Sequence, residues 1–161
     1  MHQLWDNIIE PLLKAADAKM LTEIGIGQGA TTAKLLAYAE RVGGIVHGID
    51  PAPLFDAEQW QRKHRRTFIL HRKKSLDVLP HLKNIDAFLI DGDHNWYSVL
   101  HELRAIEKNI EAGRPFPIIF LHDTSWPYGR RDRYDDPSQI PEKERQPSVQ
   151  GGLLPAVNIP Q

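Results

Sequence analysis

Five short apolar or β-branched runs alternate with stretches of helical period, and this alternation constrains the fold of the 161-residue chain more than any other feature. The runs are Met20–Ile24, Ile45–Ile49, Thr67–Leu70, Ala87–Ile90 and Ile118–Leu121, each bounded by turn residues or charges. Between them lie "ATTAKLLAYAERV", "DAEQWQRKH", "SLDVLPHL" and "WYSVLHELRAIEKNIEAG". In the last, Val99, Leu103, Ile106 and Ile110 share a stripe, and Gly113 stands where a helix-ending glycine belongs. Strict β-α-β alternation predicts a doubly wound α/β fold, a parallel sheet with helices on both faces. Ligands of such sheets bind beyond the carboxyl ends of the strands, so the residues just after each run are the candidates for function.

Composition limits the partners. The 41% hydrophobic and 25% charged residues are those of an ordinary globular chain, and a net charge of -1 supplies no field of one sign to attract nucleic acid or an anionic membrane. With no cysteine, thiolate catalysis, disulfides and Cys-ligated zinc are excluded. The start "MHQLWDNIIEPLL" lacks the basic region and unbroken apolar run of a secretory leader, and no run reaches the roughly 18 apolar residues of a membrane span. A soluble, cytoplasmic protein is the expectation, and a homo-oligomer is compatible with it. From Thr124 the pattern changes: six of the twelve prolines fall between Pro127 and Pro160, and "GRRDRYDDPSQIPEKERQPS" follows neither period. Residues 1–124 are expected to form one domain, and 125–161 a Pro-rich, charged lid or tail.

After the first run stands "TEIGIGQGATT". It fits the dinucleotide fingerprint as Gly25-x-Gly27-x-x-Ala30, and equally a methyltransferase loop as Glu23-x-Gly25-x-Gly27-x-Gly29. Asp50 ends the second run about 23 residues beyond Gly27, the spacing of a carboxylate that accepts from ribose hydroxyls. That ribose belongs to NAD and to S-adenosylmethionine alike. Glu23 favours the second, because a carboxylate there suits a ligand with a cationic amino-acid end, whereas the dinucleotide fingerprint places an apolar residue. The glycines alone also fit a tight strand-to-helix turn without a ligand.

The segments "LTEIGIGQGATT", "VHGIDPAP", "AFLIDGDHNWYSVLHEL" and "PIIFLHDTSW" resemble successive motifs of the class I S-adenosylmethionine-dependent methyltransferases, whose fold is Rossmann-like. They are most similar to the branch containing cephalosporin-hydroxylase-like and sugar O-methyltransferases. The resemblance spans roughly Met20 to Trp126. It implies that Glu23, Gly25, Gly27 and Gly29 line the methionine half of the cofactor, that Asp50 holds the ribose, that Ser75 lies near the adenine, and that Asp91 borders the cofactor too. In metal-dependent members a carboxylate after the fourth strand and an acidic pair after the fifth hold a divalent cation. The matching positions are Asp91, His122 and Asp123. His122 departs from that pattern, and an imidazole favours a softer ion than magnesium. The family's sheet ends with two further strands; after Leu121 only "GGLLPAVNIP" approximates one, so the chain reads as a shortened member or a piece of a longer protein.

The predicted chemistry is methyl transfer to the oxygen of a small hydroxylated molecule, a sugar or natural product. It needs an in-line nucleophile and a route for its proton, either through a metal on Asp91 and Asp123 or through His122 or His94 as base. Duller roles exist for each residue: Asp91, Asp93 or Asn95 as helix caps, His94 as packing, His122-Asp123 as a turn, Trp96 and Trp126 as edge packing. The basic run "RKHRRTFILHRKK" reads as two solvated turns flanking a strand, since no aromatic platform for nucleic acid accompanies it. Two other functions compete: an NAD-dependent oxidoreductase, for which the chain lacks a Tyr-x-x-x-Lys pair, and a non-catalytic cofactor-binding module.

Overall fold

The structure, a computed structural model, describes residues 1–124, 138 and 140–144. It holds a five-stranded, wholly parallel sheet in the order β3-β2-β1-β4-β5, formed by β1 (Met20–Ile24), β2 (Ile45–Ile49), β3 (Phe68–His71), β4 (Ala87–Ile90) and β5 (Ile118–Leu121). The helices are α1 (Glu10–Ala15), α2 (Ala30–Val42), α3 (Ala57–Lys63), α4 (Ser75–Val78) and α5 (Trp96–Lys108). Because β2 lies on one side of β1 and β4 on the other, the order reverses at β1, where a crevice opens in doubly wound sheets.

The register sets the site. Ile24 pairs with both Ile49 and Ile90, Ile49 with His71, and Ile90 with Leu121. One residue further, Gly25, Asp50, Asp91 and His122 therefore stand in a row along the carboxyl edge. Their amides extend the ladder: Gly25 donates to the Ile49 carbonyl at 2.9 Å, Asp50 to His71 at 3.1 Å, Asp91 to Ile24 at 2.9 Å and His122 to Ile90 at 3.0 Å.

Alternate strand residues feed two cores. Leu21, Val46, Ala87 and Leu89 pack with Leu35, Tyr38 and the N-terminal turns, while Ile24, Ile49, Phe88 and Ile90 pack with Val78, Leu79 and Ile106. All four residues of β4 are buried, as a central parallel strand requires.

Three features depart from the expected pattern. The third strand is displaced by one residue, to Phe68–His71, because the Thr67 amide is held by the His64 carbonyl in a turn. Helix α5 stops at Lys108 instead of reaching Gly113: Asn109 follows, and its side-chain amide donates to the carbonyls of Leu79 and Leu82. The first turns of the chain, a 3-10 turn at His2–Leu4, a π-helical turn at Trp5–Ile9 and then α1, bury Trp5, Ile9 and Leu13 against the sheet. Those three share one stripe by their i, i+4, i+8 spacing. Each buried side chain of this size contributes roughly 1.5–3 kcal/mol.

No helix among the described residues is long and apolar enough to cross a membrane. The expected lid or tail and the strand-like "GGLLPAVNIP" lie almost wholly outside the described residues, which include there a buried Ile140 and a 3-10 turn at Glu142–Glu144.

Candidate active site

The glycine loop turns β1 into α2 with Gly25, Gly27 and Gly29 all at positive φ. At Gly25 (φ +81°) the backbone passes so near β4 that a Cβ would lie 2.3 Å from the Asp91 carbonyl oxygen. Only glycine fits there. Asp50 fastens the loop from the neighbouring strand: one carboxylate oxygen accepts the Ile26 and Gly27 amides, each at 3.0 Å, and the other accepts the Ala52 amide at 2.8 Å. With about four lone-pair positions, that carboxylate still has room for one ligand hydroxyl.

Beyond the row of strand ends lies a cavity of about 680 Å³, bordered by Glu23, Gly25, Gly27, Asp50, Ser75 and Asp91. Glu23, only 3% exposed, accepts the Thr32 hydroxyl at 2.6 Å. Burial pushes its carboxyl up to about 8, and the nearby Asp91 adds to the rise. A neutral acid held in a cavity wall is poised to ionise when a cation arrives.

On the β3 side of the cavity Ser75 opens α4, and its hydroxyl hydrogen-bonds Glu102 of α5 at 2.5 Å. Glu102 is 1% exposed, its Oε2 has no partner, and burial lifts its carboxyl to about 7. Asp93 borders the same cavity, with one oxygen accepting from the Asn95 amide and side chain and the other from Ser98.

Asp91, His122 and Asp123 converge from the ends of β4 and β5, one donor atom of each lying within 4.8 Å of the others. His122 Nδ1 is 3.0 Å from Asp91 Oδ1 and 3.0 Å from Asp123 Oδ1, yet makes no aligned hydrogen bond to either. Asp123 holds φ +52°, a left-handed conformation sparsely populated away from glycine, which turns its carboxylate toward this cluster. His94 Nε2 lies 3.7 Å from Asp123 Oδ2, and the Met1 amino nitrogen 3.3 Å from Asp91 Oδ2. A smaller cavity, of about 200 Å³, is bordered by Asp91, His94, Trp96, His122 and Asp123, and it shares Asp91, Gly92 and Asp93 with the larger one, which Met1 borders.

Residues 22–124 match the family model described as a methyltransferase domain. The chain belongs to that family. Membership implies S-adenosylmethionine as the cofactor. No curated protein matches the chain significantly.

Within this methyltransferase domain the sequence-predicted residues fall into three places. Glu23, Gly25, Gly27, Asp50, Ser75 and Asp91 border the large cavity; His94, His122 and Asp123, with Asp91 again, border the small one. Gly29 borders neither: it is the N-cap of α2, and a Cβ there would press on the Phe55 ring at 3.0 Å. Asn95, the N-cap of α5, makes no side-chain capping bond, and Asp93 instead ties Asn95 and Ser98 together. Trp126 lies outside the described residues. The basic run flanks the edge strand β3, where Arg72 pairs with Glu58 at 2.8 Å and Lys74 reaches the large cavity.

Sequence reasoning missed Glu102. The apolar stripe it traced on α5 ran through Val99 and Leu103, whereas the fully buried positions are Ser98, Glu102 and Ile106. A signal was present, because Ser98 and Glu102 recur at i, i+4 with Ile106 on one helical face.

Proposed function

We propose that this protein is an S-adenosylmethionine-dependent O-methyltransferase acting on a small hydroxylated molecule such as a sugar or natural-product intermediate. The observation that carries the reading is the junction of two cavities at Asp91–Asp93: one large enough for a nucleoside with an amino-acid arm, the other sized for a single ring. The methyl donor would lie along the large cavity, its ammonium on Glu23 and its ribose on Asp50. The acceptor would sit in the small one.

Asp91, His122 and Asp123 suit a divalent cation. The His122 nitrogen lies between two carboxylate oxygens with no aligned proton to share, an arrangement a cation relieves. One nitrogen and two oxygen donors favour a first-row transition ion over magnesium. Such an ion would lower the pKa of a bound hydroxyl. The chain's own part is positioning and proton removal: Asp91 and Asp123 orient the acceptor at the cavity junction, Trp96 walls it from solvent, and His94, near Asp123, takes the departing proton.

The oxidoreductase reading loses its ground, since the glycine loop it shared now belongs to a methyltransferase domain. A binding module without activity is separated by experiment. Calorimetry with S-adenosylmethionine, S-adenosylhomocysteine and NAD should show binding of the first two alone. Transfer to hydroxylated acceptors, assayed with added Mn²⁺ and again with chelator, should require the metal. Tight cofactor binding with no transfer under any condition would favour the binding module.

A further inference from the structure

A buried carboxyl is costly unless something uses it, and Glu102 has a partner for only one of its oxygens. That partner, Ser75, follows β3 and borders the same cavity as Glu23, which lies on β1, two strands away. A serine hydroxyl has one proton and two lone pairs. Above about pH 7, where Glu102 is ionised, the proton goes to Glu102, so toward the cavity Ser75 offers lone pairs only. Asp93, beside it, is likewise an acceptor. This end of the cavity can therefore satisfy a ligand donor, such as an exocyclic amine, and leaves a ligand carbonyl facing oxygen.

We propose that Glu102 is a positioning residue that fixes the Ser75 hydroxyl as an acceptor, so that the cavity selects a 6-aminopurine over a 6-oxopurine. The inference rests on the cofactor reading above, which sets the purine of the methyl donor at this end. Glu102 touches no ligand itself. It acts by removing the one proton Ser75 could otherwise turn toward a carbonyl.

The test is calorimetric and needs no turnover. At a pH about 1.5 units above the Glu102 pKa of about 7, where that carboxyl is ionised, S-adenosylhomocysteine and its 6-oxo, hypoxanthine-bearing analogue are titrated into the parent protein and into Glu102→Leu, Glu102→Gln and Ser75→Ala. The parent should prefer the amino ligand by at least about tenfold, the scale of one buried group left unpaired. Glu102→Leu should shrink that preference to about twofold, mainly by gaining affinity for the oxo ligand, because the freed hydroxyl can then donate. Ser75→Ala should also flatten the ratio, by losing the amino ligand. Glu102→Gln, whose amide carbonyl still accepts from Ser75, should keep most of it. If Glu102 served packing alone, its variants would weaken both ligands equally, and an unchanged ratio in Glu102→Leu and Ser75→Ala would overturn the proposal. Should Glu102→Leu not fold, the Ser75→Ala and Glu102→Gln ratios decide. A parent that binds both ligands equally refutes this inference alone, whereas one that binds neither refutes the cofactor reading with it.

Discussion

The backbone of Gly25 meets that of Asp91 so closely that a Cβ on residue 25 would stand 2.3 Å from the Asp91 carbonyl oxygen and 2.5 Å from the Gly92 Cα. The glycine loop and the end of β4 are thus one packed unit, and the large and small cavities share Asp91, Gly92 and Asp93 beside it.

Gly25→Ala should for this reason lower stability by several kcal/mol, since backbone must move on both sides and φ +81° is itself strained for alanine. At Gly27 an added Cβ meets nothing within 4 Å, so Gly27→Ala should cost only about 1–2 kcal/mol of conformational strain. Urea denaturation of the two variants measures the difference; equal losses would show that the contact at Gly25 yields freely.

Asp50 fastens the glycine loop and, in the proposed function, also holds the cofactor ribose. Asp50→Ala removes the acceptor for three amides as well as the ribose contact, so it should weaken S-adenosylhomocysteine binding by roughly 1.5–3 kcal/mol and also lower the melting temperature. Cofactor affinity equal to that of the parent would remove Asp50 from the site.

The third prediction follows from Glu23, whose carboxyl is pushed by burial up to about 8 from the ordinary 4.5. Between those values the unfolded chain has released the proton and the native protein still holds it, so this group makes stability fall as pH rises from about 4.5 to about 8, with no further change above. The slope attributable to it is at most about 1.4 kcal/mol per pH unit. Glu23→Gln should remove that slope from the difference between the two stability curves. Binding a ligand ammonium should also expel the proton. At pH 7, calorimetry in buffers of different ionisation enthalpy should detect proton release in the parent and less of it in Glu23→Gln.

Asp123→Asn and His122→Gln should each reduce methyl transfer by more than the roughly tenfold expected from losing a helix cap, while leaving S-adenosylhomocysteine affinity nearly intact, because neither residue borders the large cavity. Asp91→Asn should abolish transfer as well, and because Asp91 borders both cavities it is the variant in which some cofactor affinity is also lost. Transfer that survives chelator and these substitutions would remove both the metal and the base from the mechanism.

Local pattern determined a good deal of this protein. Four of the five strands and the whole of α2 lie where apolar period and turn residues place them, because short β-branched runs and a stripe at helical spacing each have one low-cost burial. The same periodicity located the carboxyl edge that the two cavities border, since a parallel sheet lines up the residues that follow its strands. Tertiary structure alone decided what those residues do together. Register brought Asp91 beside His122, and the close pass of two backbones explains Gly25. Gly29, drawn by its motif into the cofactor loop, proves to cap α2 against Phe55. The packing of α4 on α5 set Glu102 opposite Ser75, and the carbonyls of Leu79 and Leu82 just after α4 hold Asn109, where the longer helix stops. Periodicity reports which face of an element is buried; what that face meets depends on a partner distant in the chain, and there the chemistry of Glu102 is decided.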